Sequence, residues 1–151
     1  MAAGERGFTY IALLMVMATV GIGLAVTGPT IVQSTQHEKE QELLFVGGEY
    51  RKAIMRYYES SPGVKRYPRT LEELLDDKRF PTTRRYLRRL YADPMTHDLD
   101  WGLVRGYDGG IVGVYSQSAE APFKTNGFKE EFAEFAGKAS YREWVFAYAS
   151  K

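Results

Sequence analysis

The sequence predicts an α+β protein, one long N-terminal helix laid against a small antiparallel sheet. Three observations carry this. Residues 7–35 hold no Asp, Glu, Lys, Arg or His. Leu43, Val46, Tyr50, Ala53, Ile54 and Tyr57 then fall at helical steps, which makes one apolar stripe. From Trp101 the period changes to short β-rich runs on either side of Asp108-Gly109-Gly110.

The charge-free segment comes first. A bilayer core takes roughly 20 helical residues to cross, so a membrane-spanning helix is expected over 8–32. Positive-inside logic places Arg6 in the cytoplasm and the rest of the chain beyond the membrane. Pro29 lacks an N–H and clashes with the preceding turn, so a kink or a locally melted turn is expected there. Helical character resumes over 33–60. Glu40, Glu42, Glu49, Arg51, Lys52, Arg56 and Glu59 are expected to fill its polar side. Gly47 and Gly48 each cost about 1 kcal/mol against Ala in a helix, and a close backbone contact would explain them. The cluster Ser60-Ser61-Pro62-Gly63 should stop the helix.

Residues 61–151 read as a small α+β part. Thr70 followed by Glu73 fits a capping box, with Leu71, Leu74 and Leu75 as the apolar edge of a short helix. Thr82 or Thr83 is expected to cap a second one, with Tyr86, Leu87, Leu90 and Tyr91 inward. Asp-Gly between β-rich runs signals a hairpin at Asp108-Gly109. A loop is expected over 119–127, then a helical turn carrying Phe128, Phe132 and Phe135. The last run alternates, and a third strand with Trp144, Phe146 and Tyr148 inward follows from that.

Composition excludes several functions. There is no Cys, hence no disulfide, thiol nucleophile or thiolate metal site. The net charge of +1 sets no global field. His37 and His97 stand far apart without partners at metal-ligand spacing. Asp93, Asp98 and Asp100 read as turn residues, and Ser116 and Ser118 lack a nucleophile-elbow setting. No phosphate-binding glycine loop occurs. The basic stretch of Lys65, Arg66, Arg69, Lys78, Arg79, Arg84, Arg85, Arg88 and Arg89 is offset by Glu72, Glu73, Asp76 and Asp77. It reads as a solvated face, with docking of an acidic neighbour or lipid headgroups as the functional reading. Nucleic acid is not an expected partner, no cofactor or metal is expected, and the chain is not expected to be an enzyme.

Gly7-Phe8-Thr9-Tyr10-Ile11 followed by the apolar run resembles the N-terminus of type IV pilins and of the pseudopilins of type II secretion. The position of Pro29 and the long helix followed by a small sheet are similar too. The compact C-terminal part resembles the G-type, major pseudopilin branch. The resemblance implies that residues 1–7 are a leader. It implies cleavage by a prepilin peptidase between Gly7 and Phe8, with N-methylation of Phe8. Residues 8–32 would then be both a temporary membrane anchor and a fibre core. The partners it implies are other pseudopilin subunits, the prepilin peptidase, an inner-membrane assembly platform and membrane lipid. It implies a bacterial inner-membrane, single-pass protein with a periplasmic domain, in a short periplasmic fibre. The alternatives are a minor or tip pilin of a type IV pilus, serving adhesion, motility or DNA uptake, and a membrane-anchored binding domain that never polymerises. The chain departs from the family in two places. Ala12 stands where the family usually has a Glu that pairs with a neighbouring N-terminus. The stretch 118–128, which matches a calcium loop in many G-type relatives, has no Asp.

Overall fold

The computed structural model describes the backbone of residues 5–149, with the side chains of 10–18 and 35–149. The fold is α+β. Helix α1 spans Glu5–Glu59. Three strands follow, β1 Gly102–Arg105, β2 Ile111–Tyr115 and β3 Val145–Ala147. They form one antiparallel sheet in the order β1-β2-β3. Short 3-10 turns cover Leu71–Leu74, Glu130–Phe135 and Tyr141–Glu143. The chain divides into two units, Met1–Gln36 and His37–Lys151.

Within the second unit, α1 presents the stripe that its periodicity predicts. Leu43, Val46, Tyr50, Ala53, Ile54 and Tyr57 are all buried, and they share one core with Ile111, Val114, Trp144 and Phe146. The close contact expected at the paired glycines exists at Gly47. A Cβ there would lie 2.5 Å from the Phe146 ring, whereas one on Gly48 would only touch Phe132 at 3.4 Å. The sheet therefore packs directly onto helix backbone. The helix ends at Glu59 as expected, and Gly63 takes a positive φ of 78° just beyond.

The hairpin also forms at its predicted turn. Asp108 Oδ1 accepts the Gly110 N–H at 3.0 Å, and Gly109 takes φ 77°, a conformation that glycine adopts without steric cost. The register shifts between Val104 and Arg105, a β-bulge. Trp144 and Phe146 point inward and Tyr148 is half-buried. Tyr141, which simple alternation put on the outer face, is fully buried. It belongs to a 3-10 turn rather than to the strand, so the period of two does not reach it.

Other expectations need correction. Residues 82–91 form no helix. Arg84 with Arg88, and Arg85 with Arg89, would place like charges four residues apart on one. The segment pairs outward instead. Tyr86 and Leu87 donate their N–H groups to the Leu74 carbonyl at 2.9 and 3.1 Å, and Asp77 donates to Arg84 O at 3.0 Å. Leu87 is still buried, and Tyr86, Leu90 and Tyr91 half-buried. The capping box is absent, since Thr70 makes no side-chain cap bond. Glu73 Oε2 instead accepts from the Tyr57 hydroxyl at 2.5 Å and from the Arg69 N–H at 3.3 Å. The phenylalanine turn over Glu130–Phe135 is 3-10 rather than α, broken at Phe132.

The span of helix α1, Glu5–Glu59, includes Pro29. A proline inside a helix removes one backbone hydrogen bond. Among the described residues no helix is long and apolar enough to cross a membrane. Of the expected span 8–32, only the side chains of 10–18 are described.

Candidate functional site

Residues 10–18 form an exposed apolar helical surface. Tyr10, Ile11, Leu13, Leu14, Met15, Val16 and Met17 are each more than half exposed, and Ala12 and Ala18 are exposed as well. Nine consecutive helical residues cover every face of the cylinder at 3.6 per turn. A helix that is apolar all round belongs in a lipid or protein interior. Ala12 contributes a methyl group there, so the stretch carries no carboxylate to pair with a partner's amine. Gly7 and Phe8 lie in the helical backbone of α1, but the side chains of Phe8 and Pro29, with the cleavage and methylation expected at Gly7 and Phe8, lie outside what is described.

The lower part of the same helix is clamped to its domain at three points. The first is Glu40, expected on the polar side but 1% exposed. Its Oε1 accepts the backbone N–H groups of Phe123 and Lys124 at 2.6 and 3.0 Å and the Tyr141 hydroxyl at 2.8 Å. The loop over 119–127 is thus tied to α1 through one carboxylate oxygen, while Oε2 has no hydrogen-bond partner among the described residues. The spacing from Glu40 to Leu43, Gly47 and Tyr50 continues the buried stripe upward, a signal legible in the sequence once Glu40 is placed on it.

The second clamp is Tyr50. Its hydroxyl donates to Tyr91 O at 3.1 Å and accepts the Tyr91 N–H at 3.0 Å, with the Trp101 ring centroid 5.3 Å away. Burial pushes its pKa up from 10.0 to about 12. The third closes the helix C-terminus. Arg79 grips Asp77 through Nε at 2.8 Å and Nη2 at 2.7 Å, donates to Tyr57 O at 3.0 Å and Ser61 Oγ at 2.6 Å, and lies 3.5 Å over the Tyr57 ring. A cation there complements the helix dipole. Burial raises the Asp77 carboxyl, but hydrogen bonds from Arg79 and Tyr86 outweigh it and hold the group below its usual value. The bond to Asp77 raises the Arg79 pKa. Burial and the Glu73 carboxylate push the Tyr57 hydroxyl well up. Arg79 is therefore a helix cap and not part of a docking face. Arg84, Arg85, Arg88 and Arg89 are exposed.

The remaining candidates do not converge. His37 is exposed and hydrogen-bonds Gln41 at 2.8 Å, and His97 sits in a loop at φ 63°. Asp93 is fully buried, not merely a turn residue, and accepts Ser116 Oγ–H at 2.7 Å and the Met95 N–H at 2.9 Å. Asp98 and Asp100 are exposed, and Ser118 donates its N–H to Ser116 Oγ. Phe132 and Phe135 lie in the core with Phe128 packed against it. Among the described residues no group of three His, Cys, Asp or Glu could hold a metal ion. No family model, curated protein sequence or solved structure matches the chain.

Proposed function

We propose that this chain is a pseudopilin-like structural subunit of a type II secretion system. The observation that carries the reading is the apolar surface over 10–18, exposed on every side of a helix whose far half is the core of a folded domain. Such a helix needs lipid or other apolar helices around it. Lipid tails and apolar side chains are nearly equivalent surroundings, so van der Waals packing decides between them. A subunit built this way leaves the inner membrane for a fibre at little net cost. The leader motif ending in Gly7, with Phe8 after it, supplies the switch. A prepilin peptidase cleaves between them and N-methylates Phe8, and the subunit then joins a short periplasmic fibre through its helix. The chain itself performs no chemistry.

Ala12 supports a second form of the reading, in which the chain is a minor or tip pilin of a type IV pilus. A terminal subunit needs no carboxylate for a neighbour on one side.

Gly7→Val tests the processing step. In cells with the peptidase, the wild-type chain shortens by its leader and Gly7→Val stays full length. Normal shortening of Gly7→Val at the same bond contradicts the assignment, as does a wild-type chain that never shortens.

A further inference from the structure

The domain surface carries a groove and a projection of matching chemistry. The groove, of about 390 Å³, runs between α1 and the 124–132 segment. Leu44, Phe45, Phe128 and Phe132 give it apolar walls, and Lys124 and Lys129 with one acid, Glu131, give it a rim of net positive charge. Lys52 is also on the rim, paired with Glu49 at 3.3 Å. Phe45 is 62% exposed although it stands on the helix that forms the core.

The projection is Asp98-Leu99-Asp100, an apolar side chain between two carboxylates. All three are exposed, Leu99 by 62%. The loop is held in shape before any partner arrives. The buried Asp93 accepts the His97 N–H on its carbonyl at 2.7 Å and donates its own N–H to Asp98 O at 2.8 Å. Gln117 Nε2 donates to Asp100 O at 3.1 Å. A pre-ordered apolar anchor loses little entropy on binding.

We propose that the Asp98-Leu99-Asp100 knob of one copy seats in the Phe45 groove of a second copy. Leu99 covers the apolar walls while the two aspartates face Lys124 and Lys129. None of residues 98–100 lines the groove of its own chain, so a knob seated there would belong to a second copy. Complementary rim charge fixes register and steers encounter. Knob and groove are different patches, so the contact is heterologous and repeats head to tail, closing a ring or extending a filament. The inference rests on the assembly reading above and names the surface that the domains use for it.

The native chain has no cysteine, which makes single-cysteine variants clean probes. Full-length Phe45→Cys and Leu99→Cys chains, differently tagged, are co-expressed and oxidised in the membrane. Both sites are exposed, so neither change disturbs the core. A disulfide between the two variants is expected, with only background from either alone. Lys124→Glu with Lys129→Glu in the Phe45→Cys chain should cut its yield about tenfold or more. Asp98→Lys with Asp100→Lys in the other chain should restore it. Equal crosslinking by either variant alone overturns the proposal, and so does a mixed pair that stays uncrosslinked while Phe8 is N-methylated. A mixed crosslink in chains that keep residues 1–7 supports the docking and overturns the fibre reading instead.

Discussion

Gly47 and Gly48 are neighbours with the same intrinsic cost in a helix, yet their surroundings separate them. A methyl on Gly47 would sit 2.5 Å from the Phe146 ring, and overpacking of that kind costs typically 1–3 kcal/mol, more than the gain of about 1 kcal/mol from helix propensity. Gly47→Ala is therefore expected to lower stability. Gly48→Ala meets only an ordinary contact at 3.4 Å, and should be neutral or stabilising by up to about 1 kcal/mol. Thermal unfolding of the two variants checks the difference in sign. Tyr50 makes a pH prediction. Its folded pKa of about 12 lies above the ordinary 10.0, so the folded state holds the phenol proton more tightly than the unfolded state. The stability it contributes is present in full below pH 10 and drains away as pH rises toward about 12. Denaturant midpoints measured across this window should fall, and Tyr50→Phe should fall less steeply while starting lower by about 1 kcal/mol for the lost hydrogen bonds.

At the scale of elements, periodicity was informative wherever one face was buried along several turns. The 43–57 stripe was legible for that reason, the hairpin for its Asp108-Gly109 turn, and the stop after Glu59 for its breaker residues. The segments that misled are short and paired outward. Arg84 to Leu87 offer backbone groups to the Leu74 turn and to Asp77, a tertiary pairing that no local pattern announces. Glu40 was missed because its charge argued for solvent while its spacing argued for the core. Its partners Phe123, Lys124 and Tyr141 lie far along the chain. Loss of that clamp should act locally. In Glu40→Ala the Phe123 and Lys124 amides lose their acceptor, at about 1–3 kcal/mol. They are expected to exchange hydrogen faster than the amides of β2. Unchanged exchange at both would show that the loop is held by something else.

For the whole molecule, one helix carries two kinds of apolar surface. Its lower half is the core of the α+β unit, and residues 10–18 expose an apolar surface on every side. The α+β architecture was readable from sequence, because hydrophobic pattern dictates it. The apolar stretch was readable too, but its partners were not, since lipid and neighbouring helices demand the same side chains. Ala12 sharpens that ambiguity, because it offers no polar group for pairing within the stretch. We propose that this segment is released from its leader and reused as a fibre core. Mass spectrometry of the mature N-terminus, from chains expressed with a prepilin peptidase, tests it most directly. A terminal peptide beginning with N-methylated Phe8 is expected. A mature chain that still begins with residues 1–7 would contradict it.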